Sequence, residues 1–192
     1  MALDQTNLVL TLTTPLSDTV ILQSFNGEEQ MSGLFRFNLE MESENNSLSF
    51  DDIVGQSVTV ALKRGGDSKQ YFNGIVRRFR HGRTDKLTHY SAELVPKLWL
   101  LTLNQDSRVY QNKSALDIIN EVLAEYGVTD LRDDCGQTYS TRDYCVQYQE
   151  SAFDFISRLM EDEGIFYFFR PKSHILKMKF FIRRKITLSG LI

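Results

Sequence analysis

The sequence predicts a β-rich α+β protein, in which an antiparallel β-barrel precedes a helix and a strand–helix–strand unit. Short runs with a two-residue apolar period recur through the first half, separated by turns that contain Gly, Asn or Asp. Two segments of the second half have helical apolar spacing instead, and each begins with Ser-x-x-Asp, at Ser114 and at Ser151. Strands joined by short turns pair antiparallel, so we expect the first half to curl into a barrel.

The first three predicted strands lie before residue 43. Residues 8–13 form a strand that stops near Pro15, and residues 19–25 form a second strand that ends at an Asn26-Gly27 turn signal. In residues 35–42 the apolar side chains alternate with Arg, Asn and Glu, which is typical of a half-buried strand.

The rest of the first half continues this pattern. A brief helical turn ending at Gly55 is expected first, followed by strands at residues 58–62, 70–80 and 87–95. The glycines at residues 65–66 predict a hairpin turn. Gly74 lies within a strand and indicates a bulge or a close backbone approach that helps to bend the sheet.

The second half contains the helical signals. After Pro96 we expect a helix that begins at Ser114, buries a face carrying Ile119 and Leu123, and ends at Gly127. Residues 128–142 are interpreted as a polar, irregular link.

The stretch 144–169 predicts strand, helix, strand. Tyr144, Val146 and Tyr148 share one side of the first strand, the period of a half-buried strand. Ser151 begins the helix and Gly164 ends it, and the continuous apolar run 165–169 is too short for a helix and predicts a buried strand.

The composition of the chain excludes few classes of protein. The 192 residues are 42% hydrophobic, enough for one core or two small ones, and the net charge of −3 indicates no particular partner. Of the two cysteines, Cys135 and Cys145, free and mostly buried thiols are the favoured interpretation, with a disulfide left open. No signal-peptide pattern opens the chain, and no apolar stretch approaches the ~20 residues needed to span a bilayer. We therefore expect a cytoplasmic chain without a membrane span, which does not forbid export of the folded protein.

Two charged clusters have competing interpretations. The acidic residues Glu161, Asp162 and Glu163 could supply a carboxylate pair for acid–base catalysis. We favour the alternative, a helix end that faces solvent or an interface. Arg158 lies three residues before Glu161 and is expected to pair with it. The basic cluster at residues 77–83 suits nucleic acid, but strand alternation divides it between two faces, so we favour a charged barrel edge.

No enzyme signature is found. The three histidines, His81, His89 and His174, are dispersed and predict no metal site, and no serine lies in a G-x-S-x-G turn. The sequence has no glycine-rich phosphate loop, so we expect no cofactor and no catalytic residue.

Three motifs carry a family resemblance. The segment from Cys145 reads C-V-Q-Y-x-E-S-x-F-D-F-I-S-R-L-M-E-D-E-G-I-F-Y-F-F and closely resembles VgrG proteins, the spike proteins of bacterial type VI secretion systems. More broadly, it is similar to the family that includes the baseplate hub proteins of contractile-tail phages. P-x-L-W-L-L-x-x-x-x-D-S-R-V-Y-Q from Pro96 and F-x-G-x-E-x-x-S-x-L-F-x-F from Phe25 also resemble this family. The resemblance extends from about Leu8 to Phe169.

The resemblance implies a structural role and a domain organisation. Residues 1–104 would form the first hub-like β-barrel, and residues 105–170 a helix plus strand–helix–strand part of a second hub-like domain. The motif positions are interpreted as architectural rather than catalytic; they are Trp99, Arg108, Gln147, Tyr148, Glu150, Phe153, Phe155, Arg158, Leu159, Glu161, Glu163 and Gly164.

The same resemblance implies partners. Full-length members are homotrimers whose pseudo-sixfold base stacks on a hexameric tube protein, and their C-terminal parts carry a needle, a tip protein and effectors. Export would then proceed through the secretion system without a signal peptide. The alternative is a stand-alone β-barrel binding module for carbohydrate or single-stranded nucleic acid, which predicts a monomer with an exposed aromatic groove. A hydrolase would instead need a pocket that gathers carboxylates or a Ser/His pair.

Residues 171–192 form a tail of different composition, with six basic residues and no acidic one. We interpret it as an atypical sequence from a frameshifted or truncated gene. The alternative is a genuine strand that pairs with the run 165–169. Its apolar residues Leu176, Met178, Phe180 and Ile182 alternate with Lys177, Lys179 and Arg183.

Overall fold

A computed structural model describes residues 8–16, 20–65, 68–129, 131–134, 138–171 and 178–184. These residues form a β-rich α+β fold with the following elements: β1 Leu10–Thr13, β2 Ile21–Glu28, β3 Arg36–Ser43, β4 Ser57–Lys63, β5 Lys69–Thr84, β6 Thr88–Val95, a 3₁₀-helix Lys97–Thr102, β7 Gln105–Ser114, α1 Ala115–Glu125, β8 Leu131–Asp133, β9 Thr141–Ser151, α2 Ala152–Asp162, β10 Ile165–Pro171 and β11 Met178–Arg184.

The first half forms a six-stranded antiparallel sheet in the order β1-β4-β5-β6-β3-β2. Its two edge strands, β1 and β2, also approach each other, so the sheet curls as a barrel does. In β3 the side chains of Phe37, Leu39 and Met41 are buried, whereas those of Arg36 and Asn38 are exposed. The predicted fold class is confirmed, and the two-residue period places one face of this strand on the core.

Of the two glycine predictions in this sheet, one is wrong, and for the other the close backbone approach predicted at Gly74 is confirmed. The expected turn at Asn26-Gly27 is wrong, because both residues lie inside β2 and Gly27 pairs with Phe37. A Cβ atom at Gly27 would lie 2.2 Å from the carbonyl oxygen of Arg36, so this glycine permits a close approach of strands. Gly74 has the same role, since its Cβ would lie 2.6 Å from the carbonyl oxygen of Val95. The bulge of β5 occurs at Arg77 instead.

The second half differs from the prediction in its strands. Both predicted helices are present, but the sequence did not predict β7, which pairs antiparallel with β9 as a two-stranded sheet. Most residues of β7 are polar, so its sequence shows no alternation of apolar and polar residues. The expected irregular link contains β8, which pairs parallel with β11.

A three-stranded sheet has the order β10-β11-β8. Strand β11 lies beside β10, as the alternative interpretation of the tail predicted. The side chains of β11 lie outside the described residues. The origin of residues 171–192 from a frameshift stays a prediction.

The described residues fall into two compact units. One contains the described residues up to Gln30 with Leu34–Lys97, and the other contains Met31–Gly33, Leu98–Arg170 and the part of β11 from Lys179 onward. The predicted division at residue 104 stays a prediction. Across the described ranges, neither α-helix has the length and apolar character that a membrane crossing needs.

Candidate interaction surface

Helix α2 begins at the predicted capping residue. The Ser151 Oγ accepts a hydrogen bond from the Asp154 backbone N at 3.0 Å and lies 2.6 Å from Asp154 Oδ2. A carboxylate in the first turn also faces the positive end of the helix dipole. At the other end Glu163 is the C-cap residue, and Gly164 has a φ of 63°, which explains the glycine there.

The buried side of α2 packs against the β7–β9 sheet. Phe155 and Leu159 are both fully buried. The ring of Phe155 stacks on that of Tyr110 in β7, with centroids 5.5 Å apart and planes at 17°. Because Tyr110, Cys145 and Gln147 lie on the covered side of the sheet, its opposite side is left to solvent.

A β-bulge distorts β9 near this contact. Asp106 pairs with Glu150 and Arg108 with Gln147, so two residues of β9 face only Ser107 of β7. One of the two, Gln149, has a φ of 49°, and its backbone N donates to Ser107 Oγ at 3.2 Å.

Gln147 and Arg158 hold the bulge from the covered side. The Gln147 side chain is 1% exposed, and its Nε2 donates to the Glu150 carbonyl oxygen at 3.0 Å. Arg158 of α2 donates to Glu150 Oε1 at 2.6 Å and to the Val146 carbonyl oxygen at 3.1 Å. The hydrogen bond to Glu150 raises the pKa of Arg158. The predicted pairing of Arg158 with Glu161 is therefore wrong, because the guanidinium reaches across to β9.

Two further arginines tie the helices to the strands. Arg142 of β9 pairs with Glu163 at 2.8 Å and with Asp162 at 3.6 Å, and the bond to Glu163 raises the pKa of Arg142. Arg108 of β7 contacts Asp106 at 2.6 Å and Glu125 of α1 at 2.5 Å. These pairs raise the pKa of Arg108, and its hydrogen bond lowers the pKa of Asp106. Two of the three acidic residues at the end of α2 thus serve as ion-pair partners.

The uncovered side of the β7–β9 sheet carries large apolar side chains. Val109, Tyr144 and Tyr148 are 62%, 69% and 69% exposed, and Val146 is 38% exposed. Val109 pairs directly with Val146. The period read for Tyr144, Val146 and Tyr148 is correct, but this side faces solvent while Cys145 and Gln147 face the core. We call these four residues, with Gln111 beside Tyr144, the β7–β9 face.

The remaining motif residues lie elsewhere in the second half. Trp99 is half-buried in the 3₁₀-helix, and its carbonyl oxygen accepts a hydrogen bond from Thr102 at 2.7 Å. Phe153 is half-buried and Glu161 is exposed on α2. Sequence reasoning placed Tyr148 in the motif but missed Val109, for which the polar sequence of β7 gave no signal.

The basic cluster of the first unit is partly neutralised. Arg77 and Arg78 pair with Glu93 at 2.7 and 3.2 Å. Phe79 is buried and stacks on Tyr90, so its ring is not available to a nucleotide base. Within the described residues no three His, Cys, Asp or Glu side chains form a possible metal site. Cys135 and His174 lie outside the described residues.

The described residues thus form a curled antiparallel sheet in the first unit and, in the second, a motif helix packed on a two-stranded sheet. Residues 28–183 match the model of the phage tail baseplate hub (GPD) family, and the chain belongs to that family. The match continues past Phe169, further than the resemblance in the sequence alone.

Relatives of known sequence are spike proteins. The chain is 43% identical over 166 residues to the type VI secretion system spike protein VgrG1c of Pseudomonas aeruginosa, covering 84% of this chain and 23% of that protein. It is 39% identical over 180 residues to VgrG1b of the same organism, covering 92% and 24%. The chain therefore spans about a quarter of the length of these relatives.

A solved structure shares the fold. An Escherichia coli component of the type VI secretion system, which is structurally similar to the bacteriophage T4 tail proteins gp27 and gp5, superposes with a TM-score of 0.79. It is 22% identical and the match covers 92% of this chain and 49% of that one. This likeness supports the hub fold independently of the sequence motifs.

Proposed function

We propose that this chain is a hub-like structural part of a type VI secretion spike, which seats on the secretion tube and helps to deliver effectors. The single observation that carries the proposal is the match to the baseplate hub family over residues 28–183. The 43% identity to a spike protein over most of the chain supports the same role.

The assembly we propose is a homotrimer on a hexameric tube protein. A tip protein and effectors would bind through parts that the longer relatives have beyond the region matched here. The protein would be held in the cytoplasm and exported by the secretion system without a signal peptide.

We propose that the motif residues act by positioning and not by catalysis. The bulge of β9 is held by hydrogen bonds that join Gln147, Glu150 and Arg158. Arg142 forms ion pairs with Asp162 and Glu163. Carboxylates engaged in this way hold helix and strand together, so we expect no hydrolase activity from the chain.

Binding to the tube protein tests the proposal. The purified chain would be mixed with the purified hexameric tube protein of the same bacterium and analysed by gel filtration and negative-stain electron microscopy. We expect a stacked complex with density on one end of the ring. A mixture that separates into its components at every protein concentration, with both proteins folded, would contradict the proposed role.

A further inference from the structure

Two strand–helix segments of the second unit, β7–α1 and β9–α2, have matching sequences. Each residue of the first segment has a counterpart 37 positions later in the second, without an insertion or a deletion. Identical residues occur in the strand, at the cap and in the helix; the pairs are Asp106/Asp143, Val109/Val146, Ser114/Ser151, Ala115/Ala152, Asp117/Asp154, Ile119/Ile156 and Gly127/Gly164. A match at one constant offset indicates an internal repeat.

The two segments also share their helix structure. Helices α1 and α2 are both 11 residues long and begin directly after the counterpart serines. Gly127 and Gly164 follow the two C-caps with φ values of 66° and 63°. The buried residues of each helix occupy the same five positions; they are Ala115, Ile118, Ile119, Val122 and Leu123 in α1 and Ala152, Phe155, Ile156, Leu159 and Met160 in α2. Both helices therefore turn the same side inward.

The backbone before each helix is stronger evidence, because serine caps and terminal glycines are common to unrelated helices. Asn112 and Gln149, two residues before the caps, are counterparts and have φ values of 53° and 49°. Only about a few per cent of non-glycine residues have a positive φ. The same unusual conformation therefore occurs at the same position in both segments.

An ion pair also recurs at this corner, with its charges reversed. Lys113 of β7 pairs with Glu121 of α1, eight positions later. The counterpart of Lys113 is Glu150, which pairs with Arg158 of α2 at 2.6 Å, again eight positions later. Each strand is thus tied to its own helix by the same two positions, although the charged groups are exchanged.

The pairing of β7 with β9 has the register that a twofold axis requires. Val109 lies directly opposite its own counterpart, Val146, at the centre of the β7–β9 face. A half-turn about this point exchanges the two flanking pairs; they are Tyr110 with Cys145 and Arg108 with Gln147. Copies that meet through the same surface on both sides form an isologous contact.

The symmetry is broken at one end of the sheet. The bulge at Gln149 has no equal at Asn112, where the ladder keeps its register. Ser107 accepts the backbone N–H of Gln149 at 3.2 Å, and the counterpart of Ser107 is Tyr144, whose side chain is turned to solvent. The two segments have diverged at this position.

We infer that β7–α1 and β9–α2 are two copies of one strand–helix repeat, which fold as one cooperative unit about a local pseudo-twofold axis. In the described part of the chain, β7 and β9 have only each other as strand partners. A two-stranded sheet is marginally stable by itself, and here α1 contacts β7, α2 contacts β9, and the helices contact each other. Disorder in one copy removes the strand partner of the other, so a change in β7–α1 also affects the motif helix α2.

Hydrogen exchange of the full chain, followed by mass spectrometry, tests the cooperativity. Ser114→Ala and Ser151→Ala remove the same cap from the two copies. Each should speed the exchange of the buried amides of α1 and α2 alike, by about five- to tenfold, and leave the six-stranded sheet unchanged. Glu161→Gln is the control, because Glu161 is exposed on α2, and it should exchange as the wild type does.

Two results of this experiment would overturn the inference. Faster exchange confined to the helix that carries the substitution would show that the copies open independently. Equally faster exchange in the six-stranded sheet would show that the cooperative unit is the whole chain.

A second experiment tests the equivalence of the two corners. Asn112→Gln/Lys113→Glu/Glu121→Arg gives the first copy the corner residues of the second. Lys113→Glu alone should lower the urea midpoint, because two carboxylates then face each other. The triple variant should regain most of that loss, since an arginine at position 121 would reach position 113 as Arg158 reaches Glu150. A triple variant no more stable than Lys113→Glu would reject the repeat.

Discussion

At the scale of single residues, Arg158 connects α2 to β9. It forms bonds to the Glu150 carboxylate and to the Val146 carbonyl oxygen, and its guanidinium carbon lies 5.5 Å from the centre of the Phe155 ring. A lysine has a single ammonium group and cannot reproduce these contacts together.

We predict that Arg158→Lys lowers the free energy of unfolding by about 1 kcal/mol, a small value because the pair is partly exposed. Urea unfolding followed by circular dichroism would measure it. Glu161→Gln is the control, since Glu161 is exposed on the same helix, and it should unfold as the wild type does. Equal losses in both variants would show that Arg158 has no special role.

Phe155 is the buried anchor of the motif helix. It is 0% exposed and stacks on Tyr110, so Phe155→Ala removes a packed ring and leaves a cavity. We predict a loss of ~3–5 kcal/mol in the free energy of unfolding. Phe153→Ala on the same helix should cost clearly less, because Phe153 is only half-buried. Thermal melts that agree within error for wild type and Phe155→Ala would show that the ring is not packed as described.

At the scale of elements, α1 begins with a complete capping box. Ser114 Oγ accepts a hydrogen bond from the Asp117 backbone N, and the Asp117 carboxylate accepts one from the Ser114 backbone N. The side-chain bond from Ser114 is the main reason that the pKa of Asp117 lies below its usual range. The cap therefore depends on an ionised carboxylate.

This dependence predicts an acid response. Because the folded state lowers the pKa of Asp117, its contribution is present above the unfolded value of about 3.9 and is lost as pH falls through the folded value. The free energy of unfolding should therefore fall less in Asp117→Asn than in the wild type as pH decreases from about 5 to about 2. Urea unfolding at each pH would measure this difference. The effect is small because Asp117 is exposed. If the free energy of unfolding depends on pH identically in variant and wild type, Asp117 does not contribute to the acid response.

At the scale of the whole molecule, the described carboxylates at the end of α2 are engaged in ion pairs. These paired carboxylates and the dispersed histidines lead us to predict no stoichiometric zinc and no hydrolase activity. Elemental analysis of the purified protein would check the metal, and ester and peptide substrates would check the activity. One equivalent of zinc that survives dialysis against a chelator would contradict the prediction and direct attention to residues outside the described part of the chain, such as Cys135 and His174.

The sequence by itself determined the local structure of this protein. Alternation in β3 identified its buried side, and the Ser-x-x-Asp signals located the starts of α1 and α2 within a residue. These features are local because the period of a strand and the cap of a helix depend on neighbouring residues. The long motif from Cys145 also identified the family, because its composition is unusual over its whole length.

Only the tertiary structure decided which surfaces are covered. Alternation in β9 separates Tyr144, Val146 and Tyr148 from Cys145 and Gln147, but it does not say which side meets α2. Strand β7 forms although its sequence is mostly polar, because β9 supplies its backbone partners from beyond α1 and β8 in the sequence. Pairing and burial depend on such distant partners, and a polar glutamine is accepted in the core because Gln147 finds its hydrogen bond there.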